Sequence, residues 1–319
     1  MQIRLGYVAI ALNLPKITSS GAVTFTNYKK LSTEEQKLNK LKQVTLSNLD
    51  NLCTILKYNV EKQIHFYRIT SALVPLATHP QVLNWDYRKI FKKDFEILGR
   101  LIKENNLRVD THPDEFNVIN SIKTDVVESS KRNLLSHVAL FEDLGYETGK
   151  MVLHIGSSQG GMEASMDRFI NNYRSFPREI TNRLILENDD KTFTASQVLH
   201  ICKELSAPMV LDVHHHFCNN NGEDLGSMLS DIFSTWSNEP IIPKIHFSTP
   251  REGDKDRKHA DYINSEDFCS FVDLSKTLDR DYDVMIEAKM KDLALFKLAE
   301  DIKTIRPAWK WIDNSTFEL

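Results

Sequence analysis

Six short apolar runs in this chain end in a histidine or an acid, and that recurrence constrains the fold more than any single motif. The fullest case is Val210-Leu211-Asp212-Val213-His214-His215-His216, entered from Ala207-Pro208 and left through Asn219-Asn220-Asn221-Gly222. It reads as a buried strand followed by a loop. Leu107 to His112 and Met151 to His154 end in histidine, as does the run through Lys244 and Ile245 to His246. Leu184 to Glu187 and Val284 to Glu287 end in glutamate. Polar groups buried at a strand's end are costly unless something binds them, and a metal ion is the simplest binder.

The segments between these runs have helical spacing. Ser32-x-x-Glu35 reads as a capping box, after a polar loop over 13–33, and Leu38, Leu41, Thr45, Leu49, Leu52 and Leu56 follow on one stripe. Phe91, Phe95, Leu98 and Ile102 mark a second helix that ends at Asn105-Asn106, and Val126 to Leu144 a third. Met166 to Tyr173, a helix capped by Thr194-x-x-Gln197, and an amphipathic stretch over about 291–305 complete the pattern. With first strands at Ile3 to Tyr7 and Ile64 to Ile69, this gives eight strands alternating with helices, which predicts an α/β fold, a (β/α)8 TIM barrel. The strands are continuous apolar runs, as parallel strands buried on both faces should be. A doubly wound open sheet would not gather so many strand ends at one point, whereas a barrel collects them at its C-terminal mouth.

The 319 residues suit one large domain, 1–319, that includes the last helix and a tail with Trp309 and Trp311. A net charge of −4 excludes a global basic field, so any nucleic-acid contact must rest on a local rim. Met1 to Tyr7 carries Arg4 and reads as a strand rather than a signal peptide. No apolar run approaches the roughly 20 residues of a membrane span. Cys53, Cys202, Cys218 and Cys269 are scattered, which points to a reducing cytoplasm and to Cys218 as a plain thiol.

Carboxylates and imidazoles without thiolates suit Mn²⁺, Zn²⁺, Fe²⁺ or Co²⁺. The donors exceed the needs of one ion, so two or three are implied, the usual device for phosphodiester cleavage. There is no Walker loop and no Gly-x-Gly-x-x-Gly after a strand, which argues against a nucleotide cofactor. Gly156 to Gly161 reads as a turn between strand and helix. By strand alternation, at most one of His214 and His216 joins the site.

Several segments also carry a family resemblance. Arg4-Leu5-Gly6-Tyr7, Val74-Pro75-Leu76-Ala77-Thr78-His79-Pro80, Leu186-Glu187-Asn188-Asp189-Asp190, Pro243-Lys244-Ile245-His246 and Val284-Met285-Ile286-Glu287-Ala288-Lys289 resemble the UV damage endonuclease family. That family is similar in fold to endonuclease IV and the xylose-isomerase-like barrels. The resemblance implies a DNA repair enzyme that nicks immediately 5′ of UV photoproducts, using up to three Mn²⁺, with Zn²⁺, Co²⁺ or Mg²⁺ as alternatives. It implies that His112 and His154 hold one ion, with Glu187 bridging to a second completed by Asp212, His246 and Glu287. His215 and His259 would hold the third. Lys244 matches a lysine carboxylated in family members, or else is a basic residue facing the phosphate. His79 matches a histidine near the scissile phosphate, or else caps the loop before Pro80.

His112-Pro113-Asp114-Glu115-Phe116 matches a segment in which members commonly place Gln before an aromatic that wedges into the duplex. Phe116 keeps the apolar wedge; Glu115 brings the wrong sign toward phosphate. Tyr7 matches an aromatic beside the lesion, or packs in the barrel. Arg68, Lys29, Lys30, Arg251, Lys255, Arg257 and Lys258 are candidates for the basic rim. The implied partner is damaged double-stranded DNA, bound by a monomer without membrane attachment. Two other readings stay open, a sugar isomerase or epimerase on the same barrel and an inert DNA- or metal-binding paralogue.

Overall fold

The computed structural model describes residues 1–253 and 255–319. Eight parallel strands close on themselves: β1 (Gln2–Val8), β2 (Phe66–Ile69), β3 (Arg108–Thr111), β4 (Lys150–His154), β5 (Leu184–Glu187), β6 (Met209–Asp212), β7 (Lys244–Phe247) and β8 (Tyr282–Ile286). Each pairs with the next, and β1 closes the ring by pairing with both β2 and β8. The expected (β/α)8 barrel is what forms.

Two faces of each strand are buried, for different reasons. Residues such as Met151, Leu153, Leu184, Leu186, Met209 and Leu211 face the helices and belong to the main apolar core. Val152, Ile185 and Val210 point the other way, into the barrel, and meet Trp236, whose indole N–H donates to the Met209 carbonyl at 2.7 Å. The opposite half of the barrel interior is charged instead. Arg108 pairs with Asp283 at 2.6 Å, and one layer higher Lys244, fully buried, pairs with Asp110. Buried charges persist only when paired, and these are.

Helix boundaries follow their caps. The 28-residue helix Glu34–Glu61 starts one residue later than the sequence pattern suggests. Thr33, not Ser32, is its N-cap, and Gln36 rather than Glu35 answers it by accepting the Ser32 N–H at 3.1 Å. Gln and Glu serve equally at that position, so the motif alone leaves the register open. The stretch 13–33 is not all loop, since Phe25–Lys29 is helical with Thr24 as its cap. Thr194 and Gln197 do form the expected capping box. The last helix, Lys291–Ile305, falls where its periodicity places it. The tail after it is not irregular: it adds β9 (Lys310–Trp311) and β10 (Thr316–Glu318), and β10 pairs antiparallel with the start of β1. Among the described residues, no helix is long and apolar enough to cross a membrane.

Candidate metal centre

Parallel pairing sets the strand ends side by side. His154 on β4 is in register with Glu187 on β5, and Asp212 on β6 with His246 on β7. His112 and Glu287 follow directly on β3 and β8, and Glu287 is tied in by its N–H to the Phe247 carbonyl at 3.0 Å. The strands thus bring six donors to one mouth.

The seventh arrives by a helix. Val213 to His216 are not strand and loop, as the apolar run suggests, but open the short helix Val213–Cys218. Asp212 is the N-cap, its Oδ1 accepting the His215 N–H at 2.8 Å. Because helical neighbours are about 100° apart, only His215 turns back over the strand ends. His214 and His216 are both buried elsewhere. His214 lies against Cys218 Sγ at 3.8 Å, and His216 Nδ1 lies 4.0 Å from Glu223.

These donors form three groups, within each of which the ligating atoms lie within 4.8 Å of one another: His112, His154 and Glu187; Glu187, Asp212 and His215; Asp212, His246 and Glu287. Glu187 and Asp212 are each shared by two groups. The grouping differs from the expected one, because the helical turn places His215 over Glu187 and Asp212. Its ring centre stays 6.4 Å from that of His259. His259 sits at the edge, its Nδ1 4.0 Å from Glu287 Oε2.

Hydrogen bonds orient the ligands. The His112 Nδ1 faces the Pro113 carbonyl at 3.1 Å, and the His215 Nδ1 faces the Asn188 carbonyl at 3.0 Å. A carbonyl only accepts, so both imidazoles carry hydrogen on Nδ1, and Nε2 is the nitrogen each would turn to an ion; the His112 Nε2 faces Glu187 Oε2 at 3.1 Å. Asn188 also brackets Asp212, accepting its N–H and donating to its carbonyl, each at 2.9 Å. The sequence pattern assigns Asn188 no part of its own; its place directly after a strand-end acid was the available signal.

The electrostatics mark a site built for cations. Burial alone would raise the Glu187 carboxyl, yet His246, His154 and His112 hold it well below the usual carboxylate range. Burial pushes Asp212 up to about 7 against the pull of His215. Burial lowers His215, but Asp212, Glu187 and Glu287 outweigh it and raise the imidazole to about 9. Asp212 Oδ2 is buried with no hydrogen-bond partner among the described residues. An unpartnered buried carboxylate oxygen beside nitrogen and oxygen donors without thiolates fits a borderline divalent ion such as Mn²⁺, Fe²⁺, Co²⁺ or Zn²⁺.

Several expected site residues lie elsewhere. Tyr7 is fully buried, with its hydroxyl donating to Asn59 Oδ1 at 2.7 Å, so it packs between the barrel and the helix Glu34–Glu61. Arg68 is not on a rim: β2 alternation turns it into the barrel, where it meets Glu287. Lys244 lies a layer below the ligands, and burial lowers its ammonium to about 8. His79 is absent from the cleft lining; its ring stacks on Phe25 at 3.8 Å and its Nδ1 accepts the Gln81 N–H. Arg251 and Arg257 of the rim set are paired with Glu252 and Asp190.

The ligands floor a cleft of about 730 Å³ that opens to solvent past Glu115, Asn117, Ser157 and Arg257. Glu115 lines it, and Phe116 next door is 86% exposed. Gly156 sits on its wall at φ +108°, where a Cβ would meet Asn120 Oδ1 at 2.6 Å, so the turn there needs glycine.

The sequence matches the family described as UV-endonuclease UvdE over residues 3–314. A UV DNA damage endonuclease of Bacillus mycoides (strain KBAB4) is 39% identical over 319 residues, which is 100% of both chains. The crystal structure of SacUVDE superposes with a TM-score of 0.84 at 34% identity, covering 95% of this chain and 99% of that one. Endonuclease IV from Thermus thermophilus shares the fold, with a TM-score of 0.53 at 15% identity over 88% of this chain and 91% of its own.

Proposed function

The chain belongs to the UV-endonuclease UvdE family, and we propose that it nicks DNA immediately 5′ of UV photoproducts by metal-assisted hydrolysis. As a member of that family it is an enzyme that cleaves DNA. The observation that carries the metal-dependent reading is the set of three donor groups linked through Glu187 and Asp212 at the barrel mouth.

His112, His154, Glu187, Asp212, His215, His246 and Glu287 would hold two or three divalent ions, with His259 at the edge; Mn²⁺ suits these donors. Held there, such ions would lower the pKa of water and offset negative charge on the phosphate. The protein's own part is orientation. Asn188 fixes Asp212 and His215, while the Pro113 carbonyl fixes His112. Lys244 and Asp110 form a paired charge layer under the site; if Lys244 is carboxylated, that layer becomes anionic and Asp110 must turn away. Phe116 is presented to the duplex as the wedge that unstacks bases, with Glu115 beside it lining the cleft.

One domain spanning 1–319 performs this as a monomer. The four cysteines are all free, as suits a cytoplasmic enzyme.

The test is a duplex bearing one defined photodimer, incubated with the purified protein in Mn²⁺ or in EDTA. A single nick 5′ of the lesion, abolished by EDTA and restored by Mn²⁺, is expected. Cleavage that persists in EDTA after exhaustive stripping overturns the metal-centre reading.

A further inference from the structure

Arg68 rises from β2 beneath the ligand cluster and touches two members of one donor group. Its Nη1 donates to Glu287 Oε1 at 2.6 Å, and its Nη2 to His246 Nε2 at 2.7 Å. From below, its Nε lies 3.8 Å from Asp110 Oδ1, and the side chain is almost wholly buried. The guanidinium is therefore fixed between two layers and has nowhere to swing without breaking buried ion pairs.

That contact makes the three donor groups unequal. His112 and His215 point their ring hydrogens at carbonyls, and the His112 Nε2 faces Glu187 Oε2, a member of its own donor group, at 3.1 Å. His246 is set the other way. A guanidinium has only hydrogens to offer, so the His246 Nε2 must present its lone pair to Arg68. The ring hydrogen then sits on Nδ1, where Glu187 Oε1 accepts it at 2.7 Å. Both nitrogens of His246 are thus engaged, and one of the two oxygens of Glu287 is as well. An ion entering between Asp212, His246 and Glu287 must displace the guanidinium or share donors with it, and it meets a fixed positive charge. Arg68 makes no such contact with His112, His154 or His215 of the first two groups.

We propose that Arg68 is an internal counter-cation and positioning residue of this centre, holding the Asp212, His246 and Glu287 group in shape without metal and making it the last and weakest to take up a divalent ion. The proposal rests on the reading of the cluster as a divalent-metal centre. It assigns Arg68 a role in metal occupancy in place of the DNA contact that its sequence position suggested.

The test is a titration of EDTA-stripped, full-length protein with MnCl₂, counting free Mn²⁺ by electron paramagnetic resonance. The wild type should show a final step weaker than the others. Arg68→Met should tighten that step by about tenfold or more while leaving the stronger ones in place. In parallel, the melting temperature should fall in EDTA but recover in saturating Mn²⁺, so that the Mn²⁺-induced shift grows; a purely structural role would lower both melting temperatures alike. Arg68→Lys keeps the charge but reaches only one donor, so it should fall between, and it decides the matter if Arg68→Met does not fold. A final step that is unchanged or weaker in the folded variants overturns the proposal, as does a wild type that binds every ion equally. Wild-type protein that binds no Mn²⁺ rejects the metal-centre reading and the proposal with it.

Discussion

Truncating Phe116 should separate lesion binding from both stability and chemistry. The side chain is 86% exposed on the segment between His112 and Asn117. That segment is held by the Asn117 N–H and Nδ2 on the Asp114 carbonyl, at 3.0 and 2.7 Å, and by the Ser71 hydroxyl on Asp114 Oδ1 at 2.7 Å. None of these bonds involves the Phe116 ring, and little apolar area is buried by it in the free protein. Phe116→Ala should therefore shift folding free energy by no more than about 0.5 kcal/mol. If the ring stacks on unpaired bases, its loss costs about 1–3 kcal/mol of binding, or roughly 5- to 150-fold in affinity. The ring carries no charge, so the slope of affinity against salt should stay that of the wild type. Fluorescence anisotropy on matched damaged and undamaged duplexes at several salt concentrations, together with a thermal melt, measures all three quantities. Equal loss of affinity for damaged and undamaged duplex, or no loss for either, would refute the assignment of Phe116 as the wedge. A large drop in melting temperature would show that the loop depends on the ring.

Other outcomes follow from the same geometry. Glu115→Gln keeps size, removes a negative charge from the cleft wall and adds two donors, so it should tighten duplex binding severalfold and alter selectivity between lesions; unchanged affinities would mean residue 115 does not contact DNA. Glu187→Gln removes the carboxylate shared by two donor groups, so nicking should fall by at least about 100-fold while the far-ultraviolet circular dichroism stays wild-type; near-normal turnover in Mn²⁺ would sink the shared-ligand reading. Metal uptake should also depend on pH. Asp212, raised to about 7, and His215, raised to about 9, hold protons in the folded metal-free protein that the unfolded chain has lost, so metal-free stability should decline as pH rises through these values. Ligands must be deprotonated to bind, so Mn²⁺ affinity should climb between about pH 6 and 9 with release of one to two protons. Calorimetry in buffers of different ionisation enthalpy counts those protons, and finding none would contradict the assigned protonation states.

The barrel and the position of its mouth are written in the linear pattern of the chain. Continuous apolar runs of strand length, spaced by helical stretches, admit few architectures, and acids or histidines at the ends of the runs mark the C-terminal mouth. His112, His154, Glu187, Asp212, His246 and Glu287 were legible for that reason, since a strand fixes where its last residue lies. Other choices are degenerate in one-dimensional spacing and are resolved by tertiary contacts. The triple histidine is apolar on both flanks and suits strand or helix equally, and the Asp212 cap on the His215 N–H settles it as helix, selecting His215 and turning His214 and His216 away. Tyr7 and Arg68 sit on strands buried on both sides, where the spacing alone does not show whether a polar residue faces the helices, the barrel interior or its rim. Only the closed ring, with Asn59 against Tyr7 and Glu287, His246 and Asp110 around Arg68, shows that one is packing and the other part of the charge that shapes the centre. Long-range neighbours decide such cases, and a chain records them nowhere along its length.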